Sequence, residues 1–338
     1  MEKLLPMAIP PSETYQLQSF MMGIMLQNKN VRNVLFNSYI NLYISENAWD
    51  KVTLEFTDAE CEPYRLTGIG EMDLFYLQNI SKEKCKDFLK ERIEQDNYLL
   101  LFEIDEYELS YSEYYKKRHF IHDTYVYGYD DTHFYVMAYS HGHLRLLKVP
   151  EQEIIDGLYS QLNEESHFCS FRVYHKAKVK LSIKKILSQV DNYLVGGKNE
   201  LGETVGISVY DYLQQTLTEV ENDRNEDEML NPRVFRMLWE HKKMILFRNL
   251  HLAERIATMN DLIPTAKKLE QQGTRVMLMM LKFNLKHDYD IVNRIKINLA
   301  EMKDIEKGYW CSFSKILQNQ NKIMDNRKKK LGIKIDAR

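Results

Sequence analysis

Cysteine is scarce in this chain and arrives late: Cys61, Cys85, Cys169 and Cys311 are the four in its 338 residues, and no C-x-x-C pair occurs. Such spacing argues against a zinc finger or a disulfide scaffold and leads to the expectation of reduced thiols in the cytoplasm. Charge of one sign is lacking too. With a net charge of -3 and a pI near 6.4, there is no global field to gather nucleic acid or anionic lipid. The local exception, Asn326 to Lys330, is expected to be a solvated basic tail. No stretch approaches the roughly 18 consecutive apolar residues of a membrane span. Pro6, Pro10 and Pro11 interrupt the start, which therefore does not read as a secretory signal. No G-x-x-x-x-G-K-[S/T], G-x-G-x-x-G or G-x-S-x-G occurs, so nothing supports a nucleotide site or an α/β-hydrolase.

What is present is ordinary globular material, 44% hydrophobic and 28% charged, enough for two domains with sizeable cores. Apolar spacing predicts a helix over about 13–28 with Ser12 as its cap, and a second from Val31 to Ile44. Thr53 to Phe56 and Tyr64 to Leu66 alternate as short strands, with a turn at Gly68-Ile-Gly70. Ser81 opens an amphipathic helix carrying Cys85, Phe88, Leu89 and Ile93, which ends at Asp96-Asn97. Tyr98 to Phe102 is a continuous apolar strand of the kind buried at a sheet centre. Further strands are expected at Leu144 to Val149 and Phe168 to Tyr174. From Leu181 the spacing turns helical, with a break at Gly196-Gly197, a solvated acidic loop over Glu219 to Glu228, and helices from about Pro232, Thr265 and Asp288. The last of these is expected to break near Gly308. The reading is therefore α+β: a mixed domain over 1–176, an all-α domain over 177–325, and the tail 326–338.

The densest chemistry lies in His119 to Tyr139. His122 opens a strand, Gly128-Tyr-Asp130-Asp131 reads as a turn, and Phe134 to Met137 returns as the second strand of a hairpin. An N-terminal helix, a mixed middle and a late histidine on an antiparallel ribbon follow the order of parts in papain-like cysteine enzymes. On the pattern His122-x5-Gly128-Tyr-Asp130, followed by Val149-Pro-Glu-Gln-Glu-Ile154, the chain resembles the peptidase-like domain of the butirosin biosynthesis protein H family and of bacteriocin-processing peptidases. The helical second half looks like the extension that many such proteins carry.

That resemblance implies a papain-like fold for the first domain, His122 as general base, and a nucleophile on the first helix. Members of the family act in natural-product assembly, where the prototype moves an acyl group from a carrier protein to an amine. The nucleophile helix corresponds to Tyr15-Gln16-Leu-Gln18-Ser19-Phe-Met-Met-Gly23, where no cysteine stands and Ser19 is the hydroxyl on offer. A serine relies on its base far more than a thiol does. Gln16 and Gln18 would then be the oxyanion donors, and Tyr107, Tyr111, Tyr114 and Tyr115 would line the substrate cleft. The family's orienting Asp or Asn is missing from the second hairpin strand, which reads Met137-Ala-Tyr-Ser140. Three readings follow: an accessory protein that binds an acyl- or peptidyl-carrier substrate with a degenerate site, an active acyltransferase or hydrolase using Ser19 and His122, or a non-catalytic homodimeric interaction module.

Other constellations are weaker. His141-x-His143 would put two imidazoles on one strand face, half of a zinc site with Asp123 or Glu106 as a third ligand, but polar hairpin tips collect histidines without metal. No metal and no cofactor is assigned, and neither nucleic acid nor membrane is expected as a partner. Cys61 lies between acidic neighbours that would raise its pKa, and Cys85 and Cys311 read as core. Met277 to Leu281 reads as an all-round apolar helix of the bundle core, and Glu240-His-Lys-Lys243 as an exposed or interdomain face.

Overall fold

A computed structural model describes residues 2–47, 51–57, 68–224 and 229–330; Cys61 and the strand expected at Tyr64 to Leu66 lie outside them. The chain opens with a short strand β1 (Lys3–Leu4) and helix α1 (Gln16–Gln27), which is capped by Tyr15 rather than Ser12. The helix expected over Val31 to Ile44 is instead a five-residue helix α2 (Asn33–Asn37) and a strand β2 (Leu42–Asn47). Tyr39, at φ 62°, turns the chain out of helix. Beyond it the burial period is two: Leu42 and Ile44 are buried opposite Phe56 and Leu54 of β3 (Lys51–Phe56).

The middle runs β4 (Gly70–Tyr76), α3 (Lys82–Glu94), β5 (Tyr98–Asp105), β6 (Ile121–Tyr129), β7 (His133–Ser140), β8 (His143–Pro150), α4 (Glu151–Ser160) and β9 (His167–Val173). The remainder is α5 (Ile183–Val195), β10 (Gly197–Lys198), β11 (Thr204–Val205), α6 (Val209–Asp223), α7 (Pro232–Ala253), α8 (Ile263–Lys286) and α9 (Tyr289–Lys330). Helix α9 passes Gly308 without a break. One glycine in a helix interior costs about 1 kcal/mol, and the buried Tyr309, Trp310, Phe313 and Leu317 that follow outweigh it.

Contacts divide the chain into two compact units, residues 1–35 with 60–180, and residues 36–59 with 181–338. The boundary expected at 176 therefore meets a chain that crosses between units three times. The first unit holds an antiparallel sheet ordered β4-β9-β5-β6-β7-β8, with β1 beside β6. Helix α1 covers one face, where Phe20 stacks on Tyr125 with ring centroids 4.6 Å apart. On the other face α3 buries Cys85, Leu89 and Ile93, and sets Phe88 against Phe75 and Phe168. Burying each large side chain contributes roughly 1.5–3 kcal/mol. Gly128 lies within β6 rather than in the turn. The register shifts between Val126 and Gly128, and a Cβ there would stand 2.6 Å from the Lys3 carbonyl. The turn itself is built by Asp130, whose Oδ1 accepts from the Thr132 and His133 amides, each at 2.9 Å.

The second unit is helical but not all-α, because a four-stranded sheet ordered β10-β11-β2-β3 belongs to it. Glu240, His241 and Lys242, expected on an exposed or interdomain face, are fully buried. The Glu306 carboxylate accepts from the Lys242 ammonium at 2.5 Å, the Tyr210 hydroxyl at 2.6 Å and Trp310 Nε1 at 3.2 Å. His241 donates from Nε2 to the Ile40 carbonyl at 2.8 Å, and its Nδ1 accepts from Lys242 at 2.8 Å. Arg248 donates to the carbonyls of Phe36, Ser38 and Tyr39. Burial and the Lys242 charge hold the His241 pKa down to about 3, so the ring is neutral.

Candidate functional site

The site is made by an irregularity at the end of β5. Leu101 pairs with Thr124, but the next pair is Ile104 with His122, so β5 uses one residue more than β6. Glu103 absorbs the excess at φ 58°, in the left-handed region that costs a non-glycine residue roughly 1–2 kcal/mol. Asp105 and Glu106, the acids beyond the bulge, each engage a histidine from the other side of the Tyr107–Arg118 loop.

Asp105 is fully buried and accepts four hydrogen bonds: from the amides of Tyr107 (3.1 Å) and Phe120 (3.2 Å), from Ser160 Oγ (2.7 Å), and from His119 Nδ1 (2.6 Å). Burial alone would raise its pKa; the bonds from His119, Ser160 and the two amides outweigh that and lower it. Glu106 Oε1 faces His122 Nδ1 at 3.0 Å, and Oε2 accepts from Ser112 Oγ. A carboxylate only accepts, so in the neutral rings Nδ1 carries the proton and the lone pair falls on Nε2. Both imidazoles reach solvent, His122 at 35% and His119 at 56% side-chain exposure.

The structure does not bring Ser19 to His122. Ser19 is buried within α1, and its Oγ donates to the Tyr15 carbonyl at 2.8 Å, a bond back along its own helix. Helix α1 covers the sheet face of Tyr125. His122, three residues earlier on the regular stretch of β6, points to the opposite face. Gln16 spends its amide on the Asp123 carbonyl at 2.8 Å, and the buried side-chain oxygens of Gln16 and Gln18 have no hydrogen-bond partner among the described residues. Neither glutamine is arranged as an oxyanion donor beside His122.

The tyrosines separate by role. Tyr107 stacks on His119 with ring centroids 4.5 Å apart. Tyr111 bonds Thr124 Oγ1 at 2.7 Å on the His122 side of the sheet, and burial raises its hydroxyl pKa well above the ordinary phenol range. Tyr114 packs on Phe120, under the Arg118 guanidinium at 4.3 Å. Tyr115 is exposed. Tyr107 thus flanks His119, whereas the rings beside His122 are Phe120 and Tyr139, with centroids 5.6 and 6.4 Å away.

Asp105, Ser112 and Ser160 have no role in the sequence reading, where Glu106 appears only as a possible zinc ligand and His119 only as the start of the histidine segment. The orienting acid is expected on β7, but Glu106 stands just beyond the end of β5, on the other side of β6. The legible signal was two acids at the end of an apolar strand, followed after a short loop by two histidines. On β7, Ser140 donates to the Tyr111 carbonyl at 3.0 Å. His141 lies in the β7–β8 turn at φ 52° rather than on a strand face with His143. Among the described residues no group of three or more His, Cys, Asp or Glu is placed to hold a metal. Burial pushes the thiols of Cys85 and Cys169 up to about 11, whereas Cys311, expected in the core, is exposed.

Chemically, each carboxylate-held imidazole can take a proton at Nε2 or accept a hydrogen bond from a ligand. Among the described residues no Ser, Thr or Cys side chain is hydrogen-bonded to Nε2 of His119 or His122. No family model matches the chain, and no curated protein matches it.

Proposed function

We propose that this chain is an accessory protein of peptide or other natural-product assembly, whose papain-like first unit binds an acyl or peptidyl group tethered to a carrier protein. It forms no covalent intermediate of its own. One observation carries this reading: His122 is oriented by Glu106, yet the serine on the corresponding nucleophile helix is buried, bonded to its own helix, and covers the other sheet face. A site of this kind recognises a ligand proton or polarises a ligand group without attacking it. Tyr107, stacked on His119, supplies a flat wall for the tethered group.

The free Nε2 of His122 favours a second reading, direct acyl transfer. Here the nucleophile is a substrate amine. His122 takes its proton as the C–N bond forms and the thioester C–S bond breaks, and the carrier thiolate then recovers the proton.

The test presents the full chain with a carrier protein bearing an acyl thioester, with and without a primary amine, and reads binding by anisotropy and thiol release by absorbance. Binding without thiol release, weakened on the order of tenfold by His122→Ala through loss of one oriented hydrogen bond, supports the first reading. Amine-dependent release abolished by His122→Gln and strongly reduced by Glu106→Gln supports the second. An acyl adduct on Ser19 in the mass spectrum would overturn both, and so would absence of any binding.

A further inference from the structure

We propose that the exposed seam of α8 docks an acidic amphipathic helix of a partner protein. Residues 277–281 are not apolar core all round: Met279 and Met280 face inward, while Leu278, Leu281 and Leu285 are 56%, 41% and 82% exposed. The three leucines are spaced three and four residues apart, which lines them along one narrow stripe of the helix. Arg275 and Lys282 lie three residues before and four after Leu278, and Lys286 continues their line, so a row of cations follows one side of the stripe. These three cations are exposed and have no ion pair among the described residues. The one carboxylate on α8, Glu270, accepts from Trp239 Nε1 at 3.1 Å.

This charge pattern selects the occupant. A second copy of α8 lying antiparallel would set Arg275 and Lys282 against the same cations of its mate, and like charges along a helix pair are destabilising. A parallel copy would bring Met277 and Asn284, from the other side of the stripe, to the cation row, and neither offers a carboxylate. A membrane surface fits less well. Gln271 and Thr274 interrupt the stripe at its N-terminal end, leaving a seam of helix-pair width rather than the broad apolar face of an interfacial helix. The partner that fits carries leucine or isoleucine along one seam and glutamate or aspartate beside it.

The probe is a labelled synthetic peptide of about three heptads, with leucine and isoleucine along its seam and glutamate beside them, titrated into the full chain. A second peptide replaces each flanking glutamate with lysine. The expected result is salt-sensitive binding of the glutamate peptide, on the order of tenfold tighter than the lysine peptide. R275E/K282E should reverse that preference, and L278E/L285E, both at exposed positions, should abolish binding of both peptides. Equal affinity for the two peptides, no binding of either, or an unaltered preference in R275E/K282E overturns the proposal. So would binding to phosphatidylserine vesicles in the absence of peptide binding, or a homodimer in sedimentation that L278E/L285E dissolves.

Discussion

Removing the Lys242 ammonium tests the physics of the second unit most directly. Lys242 and Glu306 are both fully buried, and the carboxylate is held in its charged form by three donors, of which the ammonium alone carries a full charge. Burial opposes the Glu306 charge, but the Lys242 ammonium and the hydrogen bonds from Lys242 and Tyr210 outweigh it and lower the pKa to about 2. Lys242→Met leaves that carboxylate desolvated with two neutral donors, and breaking a buried pair from one side costs about 3–5 kcal/mol. With a urea slope of roughly 2 kcal/mol per molar, the midpoint of the transition reporting on Trp310 should fall by roughly 1.5–2.5 M. Lys242→Met/Glu306→Gln removes both charges and keeps an amide oxygen for Tyr210, so it should recover about 2 kcal/mol of that loss. Urea unfolding followed by tryptophan fluorescence, on the wild type, both single variants and the double variant, gives the coupling. A Lys242→Met loss below about 1 kcal/mol, or a double variant as unstable as the sum of the singles, would mean that the buried ammonium and carboxylate are not coupled.

The same cluster sets a pH dependence. The His241 pKa falls from 6.5 unfolded to about 3 folded, so between these values the unfolded chain binds the extra proton and stability drops on acidification, at up to roughly 1.4 kcal/mol per pH unit. Glu306, at about 2 folded, adds a second loss as pH falls below its ordinary 4.5. Urea midpoints should decline from pH 6.5 downward in the wild type, and His241→Gln should keep only the part below 4.5; a flat wild-type profile between pH 6.5 and 4.5 contradicts this. In a Cys61→Ser background, maleimide should label Cys311 at once and Cys85 and Cys169 only on unfolding, since both are buried with thiol pKa values near 11. Rapid labelling at three sites, read by mass spectrometry, would count against the burial described.

Elements with strong periodicity were legible in the residues. The amphipathic helix with Cys85, Leu89 and Ile93, the apolar strand at Tyr98, the hairpin of His122 and the long helices after Leu181 all form near their expected positions. Leu42 to Ile44 was misread because a short apolar run has no distinctive period, and its pairing with Leu54 and Phe56 is decided by packing. Gly308 illustrates the converse, a local breaker overridden by buried aromatics on the same helix. At the site, the histidine hairpin was visible but its acids were not. The extra residue at Glu103 turns the end of β5, and alternation along the sequence carries no trace of a bulge before pairing is known. Likewise, which way α8 turns its leucines depends on which helices flank it.

The assignment of residues 36–59 to the second unit reaches into how the chain is made. As synthesis proceeds, the first unit has all its strands once residue 180 emerges, with 36–59 held out as a long excursion. The β2–β3 pair must wait more than a hundred further residues for β11, and the carbonyls of Phe36, Ser38 and Tyr39 wait longer still for Arg248. Contacts of such sequence separation are slow to close, because the entropy of the intervening loop is lost before they form. A gene cut at 180 therefore yields a second fragment without two of its four strands, its buried arginine facing no carbonyls. Each unit is compact in itself, yet the two are interleaved in the genetic text.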